Sequence, residues 1–391
     1  MRLVLCLVVL GCGRYSFDER DGAPGDGAAA ACTPVPEVCN GIDDDCNGII
    51  DDGCPCTPFD VTAPLAATSS SNLIWTGQGY LTKTGDATTD YVQPISSTGV
   101  LGTAHPIGLK TDIFEADGYQ AFAWTGTELA LAWTRKSGQL ALSRFDANGS
   151  PIGTPTDIDT TPNGFEPAIT WAIDHFAVTW TDNRNGSTIV YLRELAADGT
   201  PLTPEVALPI TGTVMQILPV AGHYLLDVGQ TSEPSLSVEV GRDGTILGTA
   251  TLAFPGSTTE GAHFAPGPGG FAATRSRNQT FDTVLMTLDV HGTPTLAATP
   301  LPTYNGHTIL VDTLAGAPDT YVVLGATFAT PWELVELEFD ASGAITQPPE
   351  LVTTYSAAGT SEPTVALADH RRGLGLPIVS PSQMRVVQQC R

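Results

Sequence analysis

The sequence predicts an all-β chain made of repeated four-stranded antiparallel units, and three observations predict it. The first is an internal repeat. "SRFDANGSPIG" (143–153), "RELAADGTPLT" (193–203), "VEVGRDGTILG" (238–248), "MTLDVHGTPTL" (286–296) and "LEFDASGAITQ" (337–347) follow one pattern, and "QPISSTGVLG" (93–102) is a weaker copy. The second is alternation of apolar and polar residues along the chain from Thr57 onward, clearest upstream of the copy at 193–203. The third is composition: 41 Gly and 30 Pro in 391 residues suit many short strands joined by turns. No ten-residue helical pattern interrupts them.

Each element follows from its residues. Every copy reads as a strand, a turn and another strand. The turn glycines are Gly99, Gly149, Gly199, Gly244, Gly292 and Gly343, spaced by 45 to 51 residues. Asp-Gly and Asn-Gly pairs supply the positive φ that tight hairpins need. Two more strands precede each turn, best seen in "PAITWAID" (167–174), "HFAVTWTDNRNG" (175–186) and "TIVYLREL" (188–195). Phe176, Val178 and Trp180 face one way, and Ala177, Thr179 and Thr181 the other. Four short antiparallel strands per period of this length make a β-propeller blade.

Six complete turn units are present. After the sixth, "PTVALAD", "GLGLPIVS" and "QMRVVQQC" supply three strands. "TPFDVTAPL", near the start of the repeats, resembles "TPTDIDTTP" in its place after a turn. It can therefore be the missing outer strand. The expectation is a seven-bladed β-propeller over residues 57–391, closed by strands from both termini, with six or eight blades as the neighbouring counts. Closure leaves no open edge.

Residues 1–11 read as a signal peptide: Arg2, then a short apolar run from Leu3 to Leu10, too short to span a bilayer. Val9-Leu10-Gly11-Cys12 resembles a bacterial lipobox. That resemblance implies cleavage before Cys12, lipidation of Cys12 and residence in the bacterial cell envelope. An ordinary signal peptide cut elsewhere is the alternative. Residues 12–31, rich in Gly, Ala and Asp, read as a flexible tether. Export places the chain where disulfides persist. Six cysteines then remain, Cys32, Cys39, Cys46, Cys54, Cys56 and Cys390.

Residues 32–56 form a small Cys/Asp-rich module without an apolar run to build a core. Within "CNGIDDDCNGIIDDGC" (39–54), Asp43, Asp45 and Asn47 hold the first, third and fifth positions of a calcium loop. Gly48 permits the sharp turn, Ile49 offers a carbonyl, and Asp51 is ninth. The twelfth position, normally Glu, is Cys54, so Asp51 or Asp52 must close the shell. Hard carboxylates favour calcium; no histidine lies nearby and the thiols are expected to be oxidised, which disfavours copper. A disulfide knot with a solvated acidic face is the metal-free alternative.

The same segment, Glu37 to Cys54, closely resembles the MopE-type metal-binding motif, Cys-Asn-Gly-x-Asp-Asp-Asp-Cys-x-Gly-x-x-Asp-x-Gly-Cys. The resemblance implies metal binding, with copper linked to that family's name. It covers a small part of the chain.

In an ordinary blade a turn joins the third and fourth strands. In the last blade those strands come from opposite ends of the chain. Cys390 and Cys56 stand where that turn would be, within disulfide reach. Cys54 is the alternative partner. Cys32, Cys39, Cys46 and Cys54 then pair among themselves in an open connectivity.

The formal net charge of −25 argues against nucleic acid and against electrostatic docking on an acidic membrane. The membrane is touched only through the lipid. Asp182-Asn183-Arg184 and Asp369-His370-Arg371 read as equivalent structural bridges after the second strand of two blades, with an anionic ligand bound by the arginine as the alternative. The seven histidines sit singly and read as loop or core residues. Trp75, Trp124, Trp133, Trp171 and Trp180 read as packing between blades, with a carbohydrate surface as the alternative. The chain has no Gly-x-Ser-x-Gly elbow, His-Glu-x-x-His or phosphate loop. The reading is a binding scaffold for protein or glycan at the cell surface. A propeller enzyme acting on polysaccharide and a metal-scavenging protein are the alternatives.

Overall fold

The computed structural model describes residues 58–64, 73–85, 88–109, 112–113, 120–184, 186, 188–220, 222–229, 235–252, 263–267, 270–276, 283–316, 320–327, 329, 331–355, 364–368, 371–378 and 383–390. The signal peptide, tether and Cys/Asp module expected over 1–56 lie outside the described residues. So do Cys12, Cys32, Cys39, Cys46, Cys54, Cys56, Asp43, Asp45, Asn47, Ile49, Asp51 and Asp52.

Every named element among the described residues is a strand, and the strands form four-stranded antiparallel sheets. β1 (Phe59–Pro64) stands apart in sequence from its sheet. The first sheet holds β2 (Leu73–Trp75), β3 (Gly79–Gly85), β4 (Thr89–Ser96) and β5 (His105–Leu109). The second holds β6 (Gln120–Trp124), β7 (Glu128–Thr134), β8 (Leu140–Asp146) and β9 (Thr156–Asp157). The third holds β10 (Gly164–Trp171), β11 (His175–Asp182), β12 (Ile189–Ala196) and β13 (Val206–Leu208). The fourth holds β14 (Thr213–Val220), β15 (His223–Gly229), β16 (Leu236–Gly241) and β17 (Ile246–Thr251). The fifth holds β18 (His263–Gly267), β19 (Gly270–Ser276), β20 (Thr283–Leu288) and β21 (Pro294–Pro300). The sixth holds β22 (Ile309–Gly316), β23 (Tyr321–Thr327), β24 (Trp332–Phe339) and β25 (Ile345–Tyr355). The seventh joins β26 (Thr364–Ala368), β27 (Arg371–Ile378) and β28 (Gln383–Cys390) to β1, in the order β1-β28-β27-β26.

The first strand of each sheet lies innermost. β10 packs against β6 and β14, β18 against β22, β22 against β26, and β26 against β2. The fold is therefore a β-propeller. Its core lies between sheets, because alternate residues of each strand serve opposite neighbours. β11 shows this directly. Phe176, Val178 and Trp180 pack with Ala130, Ala132 and Leu142 of the second sheet. Ala177 packs the other way, with Val214, Ile217 and Tyr224 of the fourth. Trp75, Trp124, Trp133 and Trp180 are buried in such layers, and Trp171 is half-buried against one.

The seam between the first and seventh sheets is built the same way. Leu73, Trp75, Tyr80 and Ile95 pack with Val386. The buried Tyr80 hydroxyl donates to Gln388 Oε1 at 2.8 Å, and Gln388 Nε2 donates to the Ser97 carbonyl at 3.1 Å. Along the β1–β28 ladder, running from Phe59↔Gln388 to Pro64↔Gln383, Arg385 grips Asp60 through both carboxylate oxygens. That hydrogen bond holds the Asp60 carboxyl below the usual range.

Each turn glycine keys into the preceding sheet. Gly292 has φ 73°, and a Cβ there would strike Ser237 and Leu225 of the fourth sheet. Gly99 has φ 82° and lies over the Phe59 ring of β1.

One expectation is corrected. Asp182 ends β11, a second strand, but Arg371 opens β27, so the Asp369–Arg371 triplet follows the first strand of its sheet. The two triplets are not at equivalent positions. Asp-x-Arg chemistry suits any hairpin, and resemblance of the triplets alone did not say which hairpin each closes.

Candidate functional site

Because neighbouring strands run antiparallel, the turn after the first strand and the turn after the third lie at one end of a sheet. At that end a polar clasp recurs between consecutive sheets. It uses the first residue of the second strand, the residue two before the end of the third strand, and the third-to-fourth-strand turn of the next sheet.

Between the second and third sheets these are Glu128, Arg144 and the turn carbonyl of Ala197. Arg144 Nε lies 3.6 Å from Glu128 Oε2, and its Nη1 donates to Ala197 O at 2.7 Å. Between the third and fourth sheets they are His175, Glu194 and Arg242. Arg242 donates to both Glu194 oxygens, at 2.7 and 2.8 Å. Tyr224 of β15 donates its hydroxyl to Glu194 Oε1 at 2.6 Å and meets His175 Nε2 at 2.7 Å. Burial opposes the charge on Glu194, but the bonds from Arg242 and Tyr224 outweigh it and hold its pKa below the usual range. Burial, then Glu194 itself, pushes the Tyr224 phenol well above its ordinary value. This clasp is fully compensated.

Between the fourth and fifth sheets the same positions are His223, Glu239 and the turn carrying His291. His223 Nε2 and His291 Nδ1 each lie 3.0 Å from Glu239 Oε1. Two of the seven histidines expected to sit singly, His223 and His291, are here brought together. The signal was not local: Glu239 and His291 are 52 residues apart.

Beside the second clasp, Ile173 caps the turn between β10 and β11. It is 88% exposed and has φ 68°. A β-branched residue in the left-handed region is strained. The turn holds it there through Ala172 N–H to His175 O and Asp174 N–H to Ala172 O, both 2.8 Å.

A second polar network sits on the third sheet. Arg184 donates from Nε to Asp182 Oδ2 and from Nη1 to Glu205 Oε2, both at 2.7 Å, with its guanidinium 4.4 Å over the Tyr191 ring. Arg193 donates to the Ile158 carbonyl at 2.6 Å. Nearby Asp159 is buried. Its Oδ1 accepts from the Leu140 N–H at 2.9 Å and from Gln139 Nε2, while its Oδ2 has no hydrogen-bond partner. Burial pushes its carboxyl up to about 7. Arg184 thus ties the end of β11 to the residue before β13 and lies over β12, bracing one sheet rather than bridging two blades.

No family model matches the chain, and no curated protein matches it. Among solved structures, the Kuenenia stuttgartiensis hydrazine synthase is similar at 8% identity and TM-score 0.48, over 66% of this chain and 74% of that one. A chain in the crystal structure of the mitotic checkpoint complex is similar at 9% identity and TM-score 0.51, over 86% of this chain and 95% of that one. At that identity the latter likeness is one of fold alone.

Proposed function

We propose that the chain is a lipid-anchored protein of the bacterial envelope whose seven-bladed propeller presents a binding face to a protein or a glycan. The blade count rests on one four-stranded sheet per blade among the described residues and on the β26–β2 contact. The anchor is Cys12. Between anchor and propeller, the module over 32–56 holds calcium through Asp43, Asp45, Asn47, Ile49 and Asp51 or Asp52. A Cys56–Cys390 disulfide staples the ring.

The observation that carries the binding face is Ile173. Strain at an exposed apolar side chain persists where the surroundings impose it, and such outliers cluster at contact sites. Glycine at this position relieves the strain and removes the side chain. Ile173→Gly should therefore bind less to partners captured by the wild type on a glycan array or in a pull-down, while its Tm stays level or rises. Equal binding by the variant refutes a face centred on Ile173. Turnover of polysaccharide by the wild type would favour the enzyme reading instead. Cys12→Ser should release the protein from membranes. With an affinity of about 0.1–1 mM, 10 mM calcium should stabilise the module by about 1.4–2.7 kcal/mol. Absence of calcium binding at millimolar concentration rejects that site.

A further inference from the structure

We infer that His223, Glu239 and His291 form a binding site for a zinc-class divalent ion that ties the fourth sheet to the fifth. One ligand atom from each of the three residues lies within 4.8 Å of the other two. Two of the three separations are 3.0 Å. In a tetrahedral zinc site with bonds near 2.0–2.1 Å, neighbouring ligand atoms stand about 3.3 Å apart. The side chains thus need only a small outward movement to admit the ion.

Comparison with the preceding clasp explains why an ion belongs there. Glu194 and Glu239 occupy the same position, and each carboxylate side chain is nearly closed off from solvent, at 4% and 11% exposure. A carboxylate taken from water costs several kcal/mol unless positive charge and hydrogen bonds replace its hydration. Glu194 receives a bidentate guanidinium from Arg242 and a hydroxyl from Tyr224. At Glu239 neither donor recurs. The residue in Tyr224's place on the next sheet is Phe271, which has no hydroxyl, and the turn of that sheet offers Val290 and His291 where the earlier one offers Arg242 and Asp243. Two imidazoles stand in for the guanidinium.

Neutral imidazoles are ligands rather than counter-charges, and two imidazoles with one carboxylate make a donor set suited to zinc. The rings are stacked, 6.3 Å between centroids and 8° from parallel. His291 is held by its turn: Asp289 Oδ1 accepts from the backbone N–H groups of His291 and Thr293, both at 2.9 Å. Opposite Glu239 on β17 is Gly248, where a Cβ would come within 3.2 Å of Glu239 Oε2. The glycine leaves the second oxygen space for a bidentate bond or a bound water. His291 is 60% exposed, so the remaining coordination position opens to solvent.

The competing arrangement is an ion pair in which a protonated His291 serves Glu239 directly, and the carboxylate does raise the His291 pKa. Titration of the oxidised full chain with zinc chloride in excess calcium separates the two. The calcium competes for the acidic carboxylates, and the difference between the wild type and the histidine variants assigns the zinc to this site. The expected result is one zinc per chain, with affinity at least tenfold weaker in His291→Ala and in His223→Ala and unchanged in His307→Ala. His291 is exposed, so its replacement leaves folding intact and keeps the test readable. Cobalt(II) should bind the same site with tetrahedral visible absorption that His291→Ala abolishes. No binding at 0.1 mM zinc, or equal binding by His291→Ala, overturns the site and leaves the ion pair.

Discussion

Asp159 is a carboxylic acid whose protonation is strongly displaced by its surroundings. Burial raises its carboxyl to about 7, against about 3.8 in the open chain. Between those values the folded chain keeps a proton that the unfolded chain has lost. Its contribution is therefore complete below about pH 4 and is lost as pH climbs to about 7, at roughly 1.4 kcal/mol per pH unit. Asp159→Asn removes this slope, because the amide keeps an acceptor for the Leu140 N–H without an ionisable group. Urea denaturation at pH 4.5 and pH 7 should show the wild type losing stability relative to the variant over that interval. Parallel behaviour would show that Asp159 is ionised in the fold. Asp60 and Glu194 work in the opposite direction, their pKa values being lowered in the fold, so the difference between the two proteins is the informative quantity.

At the scale of the element, the turn glycines are both the sequence signal and the packing device. Gly292→Ala places a Cβ into Ser237 and Leu225 at a φ of 73°. It should cost about 2–3 kcal/mol, measured as a shift in the denaturation midpoint. A loss below about 0.5 kcal/mol would mean the turn moves freely off the fourth sheet. Such local chemistry is what made the strands legible: alternation placed Phe176 and Trp180 on one face of β11 and Ala177 on the other, and the sheets pack that way. Features between elements were not legible. His223, Glu239 and His291 belong to two sheets, and only the sheet-to-sheet offset brings them together. The misassignment of Asp369–Arg371 has the same root, since a turn's residues do not say which turn of the sheet they occupy.

For the whole molecule, the decisive contact is the ladder between β1 and β28. Its terminal described pair is Phe59↔Gln388, so Cys390 lies two residues past one end and Cys56 three residues before the other. A disulfide there would close a loop of more than three hundred residues, worth about 6 kcal/mol in the chain-entropy model, less any strain. Peptide mapping of the oxidised protein should find Cys390 joined to the Cys54–Cys56 segment. A free Cys390 thiol defeats the staple.

The same ladder sets a timetable. Asp60 and Arg385 are 325 residues apart, yet they are partners. A chain synthesised or exported from its N-terminus delivers β1 early and β28 late. Until β28 emerges, β1 has no strand to pair with and β2 faces no seventh sheet, so the first sheet waits with one flank bare. Contacts this distant in sequence are slow to form, and unpaired flanks invite association with other chains. The seam that makes the finished molecule hard to open is thus also the interval during which it is most vulnerable.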